Sequence, residues 1–274
     1  MTRRFLVRMG LNAALSTGLV FTLWMCAWAQ DPGAGQSVSG RSPASDDPTA
    51  PARNRMVQRH LVERGIKNKR VLEAFRTVPR HRFLPPKTHR LAYDDESIPI
   101  GEGQTITPPY DVAFMTEVLD PKPTDRVYEV GTGSGYQSAI LSRLVKEVYS
   151  VEIHAPLGKR AAQVHKDLGY TNIHTRIGDG YEGWPDAAPF DAIIVTCAPE
   201  KIPQPLVDQL KDGGRMVIPL AKDRFNQSVY LVEKHGDTLT RRELKPTLFV
   251  PMTGRAQREA AADKAKGGGA PQKD

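Results

Sequence analysis

From Arg126 onward the chain alternates between two kinds of apolar spacing. Short runs rich in β-branched residues occupy 126–130, 147–151, 173–177, 190–195, 215–219 and 228–233, and each reads as a strand. Residues 244–250 add a further candidate strand. Between them, 136–144, 157–168 and 203–210 carry apolar positions at helical spacing. Strands apolar on both faces, separated by helices, predict an α/β fold: a doubly wound, Rossmann-like, mostly parallel sheet covered on both sides. No helical segment separates the last strands, and Lys234-His-Gly-Asp237 reads as a hairpin turn, so one edge of the sheet is expected to be antiparallel. Upstream, 54–63 presents Met56, Val57, His60 and Leu61 at helical spacing, and 69–77 presents Val71, Leu72 and Phe75. These segments predict a small N-terminal helical cap. Pro85-Pro86, Pro99 and Pro108-Pro109 then punctuate a long stretch expected to be irregular, before 111–119 resumes a helix. Loops of that length are often functional.

The ends of the chain behave differently. In residues 1–29, Arg3, Arg4 and Arg8 precede the apolar run 13–25, and Ala27-Trp28-Ala29 closes it in a small-x-small pattern. This reads as a signal-peptide-like segment that sends the protein to the periplasm or beyond. An uncleaved anchor and a true start at Met56 are the alternatives, the latter placing the protein in the cytoplasm. Residues 30–53 read as a disordered linker, 54–254 as the folded domain, and 255–274 as a disordered basic tail, because the two polar segments offer little apolar surface to offset their ordering entropy. Cleavage after Ala29 would lower the formal net charge from +7 to +4 and leave Cys197 as the single cysteine, which excludes an intrachain disulfide. The remaining positive balance is not a nucleic-acid footprint.

The candidate chemistry follows the first strand of the sheet, in Glu129-Val-Gly-Thr-Gly-Ser-Gly-Tyr136. Gly131, Gly133 and Gly135 permit a tight turn and close approach of a ligand, with Thr132 and Ser134 between them. Glu152 ends the next strand, where such sheets place an acceptor for a ribose diol. The spacing departs from the Gly-x-Gly-x-x-Gly of dinucleotide enzymes, and Glu129 beside the turn suits a cationic ligand better than a pyrophosphate. S-adenosyl-L-methionine meets that requirement. Asp179, in Gly178-Asp-Gly180, is positioned to accept from an adenine amino group, and Thr196 leaves the following strand on the same sheet edge. Cys197 lacks a base and reads as a space filler.

Taken with Val78-Pro-Arg80, Pro99-Ile-Gly-Glu-Gly-Gln-Thr-Ile106, Pro189-Phe-Asp-Ala-Ile-Ile-Val-Thr196 and Phe249-Val-Pro251, these motifs resemble the protein-L-isoaspartate O-methyltransferase family over about residues 54–254. The resemblance implies an S-adenosylmethionine methyltransferase fold. It also implies methyl transfer to the free carboxylate of isoaspartyl residues in aged proteins and peptides, after which the ester can close to a succinimide. The implied cofactor set is Glu129, Gly131, Thr132, Gly133, Ser134, Gly135, Glu152, Asp179, Gly180 and Thr196. Ile106, Thr107 and Val250 would hold the substrate. Thr107 stands where the family usually has a serine acting at the substrate carboxylate, and it keeps the hydroxyl while adding a methyl group.

The transfer requires no metal, and the seven histidines form no His-Glu-x-x-His pattern. His60 and His165 are expected on helix surfaces, and His81 beside the substrate cleft. The expected assembly is a monomer with no nucleic-acid partner and no stable membrane association once the leader is cleaved. Two other readings stay open at this point: a methyltransferase acting on RNA, with Arg80, Arg82, Lys87 and Arg90 as its basic patch, and a binding protein that has kept the fold without the activity.

Overall fold

The computed structural model describes residues 47–223 and 225–266. The leader and the first part of the expected linker lie outside the described residues. Helix α1 (Ala50–Met56) continues through a π-helical segment (Val57–Val62) and is followed by α2 (Lys69–Thr77). Asn68 caps α2, its side chain accepting from Arg70 N at 3.0 Å and Val71 N at 3.3 Å. Val71, Leu72, Ala74 and Phe75 are buried along one face of this helix. Short 3-10 helical segments (Arg80–Phe83 and Pro86–Leu91) lead to a small hairpin of β1 (Ile98–Gly101) and β2 (Gln104–Ile106), and then to α3 (Pro109–Leu119).

The sheet is built from β3 (Arg126–Val130), β4 (Glu147–Glu152), β5 (Ile173–Ile177), β6 (Phe190–Val195), β7 (Leu210–Ala221), β8 (Gln227–His235) and β9 (Thr238–Thr247). Helices α4 (Tyr136–Ser142), α5 (Ala155–Asp167) and α6 (Gln204–Gln209) connect the parallel part, and α7 (Arg255–Ala265) follows the last strand. The spatial order is β5-β4-β3-β6-β7-β8-β9. The pairs from β5 to β7 are parallel, and β7–β8 and β8–β9 are antiparallel. The chain winds outward from β3 in both directions, so the strand order switches at its carboxyl end. Open α/β sheets bind ligands at such points.

Period-2 alternation assigns each strand residue to one of two cores. Val127, Ala192, Ile194 and Val217 join the cluster containing residues of α1 to α5. Tyr128, Val130, Ile193, Val195, Met216 and Ile218 join the opposite cluster with Leu206 of α6. This is the doubly wound, mostly parallel arrangement with an antiparallel edge and an N-terminal helical cap that the pattern predicted.

Several boundaries differ from the sequence reading. Helix α1 begins at Ala50, inside the segment expected to be linker. The stretch expected to be irregular contains the β1–β2 hairpin, turned by Gly101, Glu102 and Gly103, all at positive φ. The last strand is Thr238–Thr247 rather than 244–250. It forms the sheet edge and most of its side chains are exposed, so no apolar run marks it. Residues 255–265 of the expected disordered tail form α7, although none of its residues is buried. Its alanine-rich, charged composition resembles a solvated tail but also consists of strong helix formers.

Candidate functional site

The glycine turn follows β3. Gly131 N and Thr132 N both donate to Val151 O, at 2.9 and 3.3 Å, which ties the turn to β4. Gly131 has φ +90°, and a Cβ there would lie 2.6 Å from Thr196 Oγ1. That hydroxyl donates to the Val130 and Gly131 carbonyls, each at 2.8 Å. Thr196 therefore locks the turn to the end of β6, and only glycine fits beneath it. Thr132 is buried, with Oγ1 2.6 Å from Ser150 Oγ. Ser134 Oγ accepts from Tyr136 N at 3.3 Å. Gly135 N-caps α4 with φ +87°, and a Cβ there would lie 2.6 Å from His165 Nε2.

Glu152 is 4 % exposed, at the end of β4. Its Oε2 accepts from Gly133 N at 2.7 Å and its Oε1 from His154 N at 2.8 Å. Each oxygen keeps a further lone pair for a ligand hydroxyl. Asp179 follows β5. Its Oδ1 accepts from Tyr181 N at 3.1 Å and its Oδ2 from Arg255 N at 2.7 Å. Gly180 lets the next turn close over β3, because a Cβ would stand 2.6 Å from Val130 Cγ1.

Glu152, Asp179 and most of the glycine turn line one cleft at the carboxyl ends of the strands. Ile106, Thr107, Gly131, Thr132, Gly133, Ser134, Glu152, Asp179, Gly180, Thr196 and Val250 all border it. An adjoining groove shares Thr105, Thr107, Thr196 and residues 249–252 with the cleft and runs out past Leu248 and Phe225, both strongly exposed. The two cavities thus meet at Thr107, Thr196 and Val250. Val250 O accepts from Ala198 N at 2.8 Å, and Met252 N donates to Ala198 O at 3.1 Å, which anchors this wall to the end of β6.

Four expectations require correction. Glu129 does not border the cleft. It shares the face of β3 that carries Val127 and is fully buried beneath α4, where Ser138 Oγ donates to it. Burial pushes its pKa up to about 7, the two serines Ser138 and Ser150 opposing and the charge of Glu152 adding to the rise. The acid facing the cleft is Glu152, and Glu129 supports the turn from behind. Gly135 also does not border the cleft but shapes the start of α4.

His165 is buried rather than on a helix surface, and its Nε2 donates to Gly135 O at 2.9 Å. Finally, His81 borders neither cavity; its Nδ1 lies 2.8 Å from Tyr93 Oη. Cys197 does line the cleft, and burial raises its pKa strongly, with Glu152 and Asp179 adding to the effect, so the thiol stays protonated.

Two participants were not among the site residues expected from the sequence. Arg255 reaches Asp179 from a segment whose composition suggested disorder. Arg80, noted only within a motif and a basic patch, is completely buried and donates from Nη2 to Thr107 O at 2.7 Å.

Comparison with known proteins agrees with this geometry. Residues 52–257 match the family model described as protein-L-isoaspartate(D-aspartate) O-methyltransferase. The chain is 48% identical over 225 residues to protein-L-isoaspartate O-methyltransferase 2 of Shewanella sediminis, covering 82% of this chain and 92% of that one. It is 51% identical over 201 residues to the protein-L-isoaspartate O-methyltransferase of Opitutus terrae, covering 73% and 86%. A solved protein-L-isoaspartate O-methyltransferase superposes with a TM-score of 0.70 at 28% identity, covering 78% of this chain and 69% of the other. A Plasmodium falciparum structure, described as a putative member in complex with S-adenosyl-L-homocysteine, shares the fold with a TM-score of 0.64 at 23% identity, covering 73% and 98%. With three quarters of its length matched and its glycine turn, Glu152 and Asp179 converging on one cleft, this chain belongs to the protein-L-isoaspartate(D-aspartate) O-methyltransferase family.

Proposed function

We propose that this protein methylates the free carboxylate of L-isoaspartyl residues in proteins and peptides, using S-adenosyl-L-methionine, and so begins their repair. The observation that carries this reading is the junction of the cleft with the adjoining groove at Thr107 and Thr196. A small donor and an extended polypeptide can meet there without sharing the rest of their sites.

The cleft residues fit the donor. Glu152 is a buried carboxylate held open by two backbone N–H groups, suited to a ribose diol. Asp179 faces the same cleft as an acceptor for an adenine amino group. When bound, the donor supplies a methyl group made electrophilic by an adjoining sulfonium. The acceptor carboxylate is already ionised near neutral pH, so no general base is required of the chain. The task of the protein is alignment and exclusion of water. The Thr107 hydroxyl, at the junction, donates to the carboxylate and orients it. Direct pairing with a lysine would instead reduce the nucleophilicity of the oxygen. The protonated Cys197 thiol does not compete as a nucleophile.

The test is a methyl-transfer assay on matched peptides containing isoaspartate or aspartate. Transfer to the isoaspartyl peptide alone is expected. Inactivity on both by protein that binds S-adenosyl-L-homocysteine would overturn the reading. For its compartment, residues 1–29 support export. A mature protein beginning at Met56 and confined to the cytoplasm would overturn that part.

A further inference from the structure

Arg80 follows α2, and its guanidinium is completely buried. One of its nitrogens, Nη2, donates to Thr107 O at 2.7 Å. Its Nε and Nη1 are buried with no hydrogen-bond partner among the described residues. The Tyr136 ring lies against it, with 4.7 Å between the guanidinium carbon and the ring centroid. Tyr136 itself borders the donor cleft and is held edge-on by Phe75 and Phe83, at 5.9 and 5.6 Å between centroids. Arg80 therefore touches the segment that meets the acceptor and a ring that walls the donor cleft.

A buried cation with so few partners costs stability, and an apolar side chain of similar volume would avoid that cost. Burial lowers its pKa to about 10, opposed by Tyr136 and Asp95, so the group remains charged at neutral pH. The acceptor is an anion, yet every residue bordering both cavities, from Thr105 and Thr107 to Thr196 and residues 249–252, is uncharged. Arg80 is bonded directly to one of them. In a low-dielectric interior its field acts across the Thr107 peptide group far more strongly than it would in water. A cation one peptide group away can favour an ionised carboxylate without pairing with it, and its attraction ends when the carboxylate becomes a neutral ester.

We propose that Arg80 is a positioning residue of the acceptor site, fixing the Thr107 backbone and supplying from behind it the positive charge that selects an ionised carboxylate. The inference rests on the isoaspartyl reading above, and activity of the unsubstituted enzyme is measured first so that the two can fail separately. Arg80→Lys keeps the charge, whereas Arg80→Gln keeps a donor for Thr107 O without it. For each protein, KM and kcat are measured with an isoaspartyl peptide. The matching isoasparaginyl peptide, which carries a neutral amide, is measured as a competitive inhibitor. S-adenosyl-L-homocysteine binding and a thermal melt report the state of the fold.

The expected result is that Arg80→Gln raises KM for the isoaspartyl peptide on the order of tenfold while the inhibition constant of the amide peptide stays nearly unchanged. Arg80→Lys should retain most of the preference for carboxylate over amide. Equal weakening of both peptides, or an unchanged KM in the glutamine variant, would overturn the proposal. Failure of both variants to fold and bind S-adenosyl-L-homocysteine would assign Arg80 to stability alone and overturn it as well.

Discussion

At the scale of single residues, the site turns on two carboxylates with opposite surroundings. Glu152 lines the cleft and is held by Gly133 N and His154 N, whereas Glu129 is sealed beneath α4. Glu152→Ala should weaken S-adenosyl-L-homocysteine binding by on the order of 1.5–3 kcal/mol, since a charged acceptor is lost. Calorimetric titration beside a melt checks this, and an unchanged dissociation constant would remove Glu152 from the donor site. Glu129 makes a different prediction. Its folded pKa is raised from 4.5 to about 7, so its contribution is fully present below the unfolded value and is lost as pH rises through about 7. Glu129→Gln should therefore gain stability relative to the unsubstituted protein between pH 5 and 8, by on the order of 2–3 kcal/mol. The lowered pKa of buried His165 acts in the opposite direction, costing stability as pH falls, but it is common to both proteins and cancels in the difference. Parallel denaturation midpoints at the two pH values would show that Glu129 is not so perturbed. Glu152 and Asp179 were legible in the sequence because one ends and the other closely follows a recognisable strand. Glu129 was misplaced because closeness to the turn along the chain does not say which face of β3 a side chain occupies.

At the scale of elements, α7 is the least expected part of the molecule. It buries no side chain completely; Ala256 packs against one core, and polar contacts tie the helix to its surroundings. Arg255 N bonds Asp179, the Arg255 guanidinium pairs with Glu182 and Glu259, and Tyr181 Oη donates to Glu259 at 2.6 Å. Lys201–Asp263 and Lys264–Glu200 pairs hold the rest of the helix. Exposed pairs of this kind contribute little individually and are screened by salt. A chain ending at Gly254 should therefore melt within a few degrees of the full chain. It should nevertheless bind S-adenosyl-L-homocysteine more weakly, on the order of tenfold, because Asp179 loses a backbone donor that orients it. Raised salt should move the full chain toward the truncated one. Equal affinities at low salt would show that α7 does not act on the cleft. Hydrophobic pattern could not reveal α7, because a helix with no buried face leaves no periodic trace. The same holds for the exposed edge strand β9, and for the β1–β2 hairpin, whose strands are too short for periodicity to register. Strands β3, β4 and β6 were legible because burial on both faces makes their apolar runs nearly continuous.

At the scale of the whole molecule, the cleft is assembled from segments far apart in the chain. Residues 104–107, 130–134, 136–137, 151–154, 179–181, 196–197 and 249–253 all contribute to it. Arg80 ties one wall to the N-terminal cap, and Arg255 ties another to α7. A ligand that binds only the folded protein stabilises it by about 2.7 kcal/mol at one hundred times its dissociation constant. That stabilisation should be visible in amide exchange at two levels. Amides that open only by global unfolding, in β3 and β6, should slow uniformly. Amides that open locally should slow where the ligand joins the walls, including residues 80–83 and 255–259, which border the linking contacts rather than the glycine turn. The exposed half of β9, residues 238–242, should show no local protection, because it borders neither cavity. Hydrogen exchange with and without S-adenosyl-L-homocysteine measures all three groups in one experiment. Protection confined to residues 131–137 would mean that the glycine turn binds alone, and that the cap and α7 are carried on the sheet without acting on the site.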